Sequence, residues 1–245
     1  MPIFIISIFI QVALVIHIVK TGRNTTWIWI VVMLPMAGSI AYFIIEVLPE
    51  LTGSRSGRKA SSKLGKIINP NKNFKEAAQN FSITDTVENS MKLAEEYISK
   101  NMFSEAKDLY KKCLKGVHEQ DPEIMQGLAT AEFGLNNFNE VKLILDELID
   151  KNPDYKNSDA HLLYAKSLEA LKDTDQALQE YEALDNYYPG PEATYRYAML
   201  LKNNGNSDKA SDLINKILHE ASYSGKHYNS LYENWIKLAK NEKTS

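Results

Sequence analysis

The chain has five histidines, His17, His118, His161, His219 and His227, and one cysteine, Cys113. A metal site needs several such ligands at spacings that place them on one face or in one turn, and no two of the histidines have such a spacing. Cys113 alone can build neither a disulfide nor a cysteine metal site. It falls on an apolar helical face and reads as a small core residue. Acids are numerous but scattered over solvated helix faces, and no glycine-rich loop follows a strand to cradle a phosphate. We therefore expect no catalytic residue, no metal, no cofactor and no enzyme. The chemistry on offer is that of surfaces.

Those surfaces come in three zones of charge. From Pro2 to Leu48 the charged residues are only Lys20, Arg23 and Glu46. From Leu51 to Lys75 stand Arg55, Arg58, Lys59, Lys63, Lys66, Lys72 and Lys75, with no acid among them. From Glu76 onward 29 acids face 19 bases. An acidic domain of that size repels phosphate, which argues against nucleic acid as a partner.

Two apolar runs, Pro2 to Val19 and Thr26 to Pro49, would span about 27 and 36 Å as helices, against a hydrocarbon thickness of about 30 Å. Six residues of turn chemistry, "KTGRNT", join them. The missing positive n-region and cleavage site argue against a signal peptide. The expectation is a transmembrane helical hairpin over residues 1–50. Pro35, Gly38 and Ser39 fit it, because small residues permit close helix approach and a proline's lost hydrogen bond can be compensated locally. Trp27 and Trp29 open the second span, where amphipathic rings favour the headgroup level. His17 is open between an intramembrane functional group and a residue that reaches the nearby interface.

The stretch "IHIVKTGRNTTWIWIVVMLPMAGSIAYFIIEVLP" resembles the N-terminal membrane module of bacterial cardiolipin synthases. The shared features are Arg23 in the loop, the two tryptophans, and Pro35, Gly38 and Tyr42. In that family the hairpin precedes a phospholipase D-type domain with two His-x-Lys-x4-Asp motifs. None of the five histidines here is followed by lysine two residues later, so the resemblance implies an anchor without the catalysis.

Residues 51–71, rich in serine, glycine and lysine, read as a flexible juxtamembrane linker. Arg55, Arg58, Lys59, Lys63 and Lys66 are the lipid-surface candidates, since each juxtamembrane base gains about 1 kcal/mol beside an anionic leaflet. Fixing topology and recognising specific lipids are equally open roles. The bases after the second span place the rest of the chain, and both termini, on the cytoplasmic side of a bacterial inner membrane.

Residues 72–245 are repetitive. Leu93-Ala94, Leu128-Ala129, Tyr164-Ala165 and Tyr197-Ala198 each open a segment, at steps of 35, 36 and 33 residues. Thirteen residues on stands Ala106, Val141, Ala177 or Ala210. Four further stands Tyr110, Leu145, Tyr181 or Ile214, and three beyond that Cys113, Leu148, Leu184 or Ile217. An i, i+4, i+7 set is one face of a helix, reached here through another helix and a turn. The pattern is similar to the tetratricopeptide repeat family, strongest in the third repeat; generic helical hairpins are the alternative. Glu132 departs from it, standing where an aromatic or leucine is usual. Asp85 with Glu88 reads as the N-cap of the first repeat helix. Phe74, Ala78 and Phe81 read as an amphipathic lead-in. Tyr228, Leu231, Trp235 and Leu238 read as one capping helix that covers the end of the stack.

The expected fold class is therefore all-α: a two-helix hairpin, then a solenoid of about four helix pairs with a C-terminal cap. The resemblance implies that first helices line a groove for extended peptides or helices. Carried over, it makes Met91, Glu95, Gln126, Thr130, Phe133, Leu162, Lys166, Tyr195 and Met199 the partner-groove candidates. A carboxylate clamp is absent, with Met91, Glu95, Asp159 and Leu163 at its positions. The expected function is a membrane-anchored scaffold presenting that groove to a protein or peptide, its partners including the anionic leaflet. The alternative is an accessory subunit of a cardiolipin-synthesising enzyme. The oligomeric state and the partner's identity are not legible.

Overall fold

The computed structural model describes residues 2–22, 24–47 and 71–244, in two compact units, residues 1–72 and 73–245. The five lipid-surface candidates, Arg55, Arg58, Lys59, Lys63 and Lys66, lie outside the described residues, as does Arg23.

In the first unit, α1 (Pro2–Lys20) packs against α2 (Thr26–Met33) and α3 (Pro35–Tyr42), which ends in a π-helical turn, Phe43–Val47. The expected single second helix is not found. Pro35 has no N–H to offer the Val31 carbonyl and disfavours a helical Leu34, which sits at φ −124°, ψ 77°, so the arm breaks there. Among the described residues no helix is long and apolar enough to cross a membrane.

The break is compensated from the facing helix. The Gln11 side-chain amide donates to the Val31 carbonyl at 3.0 Å, filling the acceptor that the proline leaves open. Gly38 comes so close to the end of α2 that a Cβ there would lie 2.2 Å from the Ile30 oxygen. Only glycine allows that approach. Tyr42, fully buried, sets its hydroxyl 3.0 Å from His17 Nδ1 and its ring edge-on to Trp27. The indole N–H of Trp27 donates in turn to the Glu46 carboxylate at 3.1 Å.

The second unit opens with α4 (Lys72–Ile83), the expected lead-in, whose Phe74 meets Tyr97 edge-on at 5.4 Å. Four antiparallel pairs follow: α5 (Val87–Ser99) with α6 (Phe103–Cys113), and α7 (Pro122–Gly134) with α8 (Phe138–Lys151). Next come α9 (Ser158–Ala170) with α10 (Thr174–Asp185), and α11 (Pro191–Asn203) with α12 (Ser207–Tyr223). Each helix packs on its chain neighbours, and first helices also touch, α5 on α7 and α7 on α9. All twelve face positions read from the repeat, from Ala106 to Ile217, are buried.

Each pair turns in the same way. Asn101, Asn136, Lys172 and Gly205 take left-handed φ values of 58°, 61°, 63° and 83°. In each turn the next N–H reaches back to a carbonyl of the first helix: Met102 to Tyr97, Asn137 to Glu132, Asp173 to Leu168 and Asn206 to Leu201, at 2.9–3.0 Å. This is the Schellman closure, which favours glycine or asparagine at the left-handed position.

Two local expectations are corrected. Thr86, not Asp85, caps α5, accepting from the Asn89 N–H at 3.2 Å. Asp85 instead bonds Ser90 and pairs with Lys112, because the turn that follows α4 aims it at α6. The single capping helix is two, α13 (Lys226–Leu231) and α14 (Glu233–Thr244). Its inward face is Ile236 and Ala239, while Leu231 and Leu238 are exposed. The break at Tyr232, held by its hydroxyl on the Pro189 carbonyl at 3.1 Å, rotates α14 away from the stripe that one continuous helix would bury.

Lys172 is the one turn position where a side chain with no left-handed preference fills the site. Lys172→Gly is expected to raise stability by about 1 kcal/mol, read from chemical denaturation of the full chain, with the helical signal unchanged. An unchanged or lower stability would show that Lys172 makes a compensating contact.

Candidate partner-binding surfaces

The first helices of the repeats present one face, and the candidate residues divide on it into three sets. Met91 and Glu95 on α5 and Gln126 and Thr130 on α7 come together around a cleft of about 390 Å³. Tyr110 reaches its floor because Gly127 is bare: a Cβ there would sit 2.4 Å from the Tyr110 ring. The far wall is a closed hydrogen-bond triangle. Tyr155 donates to Gln126 Oε1 at 2.5 Å, the Gln126 amide to Asn157 at 3.4 Å, and the Asn157 amide to Tyr155 at 3.3 Å. Asn157 also caps α9, accepting from the Asp159 and Ala160 N–H groups. Gln126 is thus a joint between the second and third pairs, whereas Glu95 and Glu123 stand exposed at the rim.

Phe133, Lys166 and Tyr195 form a second set, bound up with its own neighbours. The Lys166 ammonium lies 4.9 Å over the Phe133 ring and 3.8 Å from Glu192. Burial, then the Arg196 charge, holds its pKa below the usual lysine value. Arg196 pairs with Glu192 at 2.9 Å and covers Trp235, whose ring is 5.7 Å from Tyr195. Phe133 and Tyr195 are half-buried against the core clusters. Met199 sits apart, in a small cleft under α14 beside Lys202, which pairs with Glu242. Leu162 is no groove residue: at 5% exposure it belongs to the core between the third and fourth pairs. Its side chain joins the cluster that holds Ala193, Tyr197 and Leu200 of α11, although α9 keeps the repeat register, with Ala160, Ala165 and Leu168 buried like Ala193, Ala198 and Leu201.

Glu132, the departure from the repeat, is 1% exposed. One oxygen lies 3.5 Å from both the Lys107 and Lys111 ammoniums of the preceding pair, and the other accepts from the Asn137 amide at 2.7 Å. An ionic joint here replaces an apolar one.

A further cleft, unanticipated by sequence, opens on the side of the second helices. It measures about 760 Å³ and lies between α8 (Leu145, Leu148, Ile149) and α10 (Glu180), floored by α9 (Ala160, His161, Tyr164). The loops at Tyr155 and at Tyr187 close its ends. His161 Nε2 is 2.5 Å from the Glu180 carboxylate, and Nδ1 bonds the Tyr187 hydroxyl. Its residues come from three elements with no short motif; the aromatic pair Tyr187-Tyr188 before Pro189 is the nearest thing to a signal. Among the described residues, no group of three histidine, cysteine or acidic side chains is placed to hold a metal.

Residues 159–191 match the family model described as tetratricopeptide repeat. Residues 9–46 match the one described as phospholipase D-nuclease N-terminal. No curated protein matches the chain. Solved structures similar to it include MamA, at 20% identity over 61% of this chain and 86% of that one, with TM-score 0.52. TTC0263, a thermophilic TPR protein in Thermus thermophilus, has 16% identity over 73% and 96%, with TM-score 0.53. YrrB, a TPR protein with an unusual peptide-binding site, has 18% over 75% and 88%, with TM-score 0.53. At such identities the likeness shows the fold: the second unit is a tetratricopeptide-type stack.

Since Phe133 is packed rather than free, Phe133→Glu is expected to lower stability by about 2 kcal/mol or more, through lost burial and a desolvated charge. Glu95→Lys, at the exposed rim, is expected to stay within about 0.5 kcal/mol. Thermal melts of both variants check this, and equal melts would return Phe133 to the open surface.

Proposed function

We propose that the chain is a non-enzymatic scaffold, held at a bacterial inner membrane by residues 1–50 and offering its repeat stack to a protein partner on the cytoplasmic side. Residues 51–71 are the basic tether on the anionic leaflet, and residues 72–245 the binding domain.

The observation that carries the membrane reading is the apolar outer surface of the hairpin, with its polar side chains bonded to one another or to its backbone. Gln11, His17, Tyr42 and Glu46 are bonded within it, while Phe9, Val12, Ile16, Trp29, Val32 and Met36 are exposed. Water disfavours that arrangement and hydrocarbon favours it. Neither α2 nor α3 alone reaches across a bilayer; taken together with the π-turn, the kinked arm has the reach of a span. A kink is tolerable in lipid where a neighbour satisfies the freed carbonyl, as Gln11 does. The resemblance to the cardiolipin synthase module supports the same placement.

The partner reading rests on the first-helix face. Met91, Glu95, Gln126 and Thr130 line an open cleft there, in a fold shared with YrrB, a TPR protein with an unusual peptide-binding site. Phe133, Lys166, Tyr195 and Met199 are then supports of that face rather than its contacts.

Two outcomes are expected. A reporter fused after Ser245 is active in the cytoplasm and one inserted at Asn24 outside it; a periplasmic C-terminal reporter would overturn the orientation. A photo-crosslinking residue at Glu95 or Thr130 in the full chain captures one discrete partner in native membranes, and one at Leu143, exposed on α8, does not. Equal capture at all three would place the contact elsewhere.

A further inference from the structure

The cleft between α8 and α10 shares Tyr155 and Asn157 with the first-helix cleft but opens between second helices, and its walls carry a particular chemistry. Their polar groups are already committed to one another. Tyr155 donates to Gln126, Tyr164 donates to Asp146 at 2.7 Å, and Tyr187 and Glu180 are both bound to His161. Spare polar capacity remains chiefly at the Glu180 carboxylate, at Ser158 and at Lys156 on the opposite rim. Glu180 is held in place by His161, whereas Lys156 is exposed on a flexible stem and can turn into solvent. Everything else offered to an occupant is ring face and aliphatic surface. Ile149 and Tyr187, 57% and 54% exposed, form the apolar rim.

The repeat unit shows what such a set of groups binds, because it uses the set on its own cations. Lys209 lies 5.1 Å over Tyr197 with Glu182 at 2.7 Å. Lys142 lies 5.6 Å over Tyr164 with Asp146 at 2.7 Å. Arg196 lies over Trp235 with Glu192 at 2.9 Å. A ring face with a carboxylate beside it attracts a cation through the ring quadrupole and the charge together. The cleft gathers three tyrosine rings and one anchored carboxylate in a space of about 760 Å³, within the size range of ligand pockets.

We propose that this cleft is a second binding site, and that its occupant is a segment of a partner protein presenting an arginine next to a large apolar side chain. The apolar side chain enters between Leu145, Leu148 and Tyr164. The guanidinium stacks at Tyr187 and pairs with Glu180. Arginine suits the site better than lysine because its planar head stacks on a ring while its edge bonds a carboxylate.

The test uses the full chain in mild detergent and two fluorescein-labelled decapeptides, one alternating leucine with arginine, the other with neutral citrulline replacing arginine. The arginine peptide is expected to bind saturably, and the citrulline peptide about tenfold more weakly or worse. Glu180→Gln, which keeps an acceptor for His161 and removes only the charge, is expected to erase that preference. Ile149→Lys, at the exposed rim, weakens the arginine peptide by a similar factor. Glu95→Gln, on the first-helix face, leaves binding unchanged. Equal affinity for both peptides, or no saturable binding at about 1 mM, overturns the proposal. So does binding that falls with Glu95→Gln and not with Glu180→Gln, which would assign the peptide to the other face. Binding of dioleoylphosphatidylcholine vesicles that is lost with Glu180→Gln would assign the cleft to a lipid headgroup and overturn it too.

Discussion

Ala94, Ala129, Ala165 and Ala198 are fully buried where the first helix of each pair meets its neighbours. A methyl group is the largest side chain such a contact admits, and it brings the helix axes close enough for the apolar face of the second helix to interlock. That close approach is the constraint on which the repeat unit depends. With it, Tyr110, Leu145, Tyr181 and Ile214 become core; a larger residue there would force the pairs apart and expose them. No pair buries its apolar face alone, so each stabilises the next and the last needs a cover, which α14 supplies through Ile236 and Ala239.

The same stacking produces two faces of different character. Where α7 meets the third pair the joint is polar and closed, as in the Gln126–Tyr155–Asn157 triangle, while an open cleft lies between the first and second pairs. Toward the C-terminal end, cations laid on rings and tied to Glu192 fill the equivalent space. Between the second helices α8 and α10 lies the aromatic cleft, with α9 as its floor. Glu132 belongs to the same pattern of joints. It is buried between two lysines whose heads still reach water, so the charge is compensated without being sealed in.

The hairpin follows a separate logic. A small apolar cluster of Ile18, Val31 and Tyr42 lies within it, and hydrogen bonds and the close approach at Gly38 add to its cohesion. Pro35 alone would leave a carbonyl unpaired. Gln11, twenty residues away in sequence, makes the break tolerable. In that sense the kink is a property of two helices and not of the arm that carries it.

The all-α class, the repeat steps, the buried face of every second helix and the place of the lead-in helix were legible in the chain itself, because each rests on spacings within about one helical turn or one repeat. The apolar hairpin and its proline were legible too, though not where the second arm would break into separate helices. What only the tertiary structure decided is whatever depends on which neighbour a side chain meets. Leu162 and Glu95 both sit on first helices, yet one is core and the other rim, because Leu162 meets the α11 cluster while Glu95 faces an open cleft. In the cap, one stripe through Leu231 and Leu238 was expected, and the break at Tyr232 beside Pro189 instead left Ile236 and Ala239 buried. His161, Glu180 and Tyr187 share no motif, since a cleft between stacked repeats is assembled from residues whose separation reflects the repeat length rather than any local chemistry.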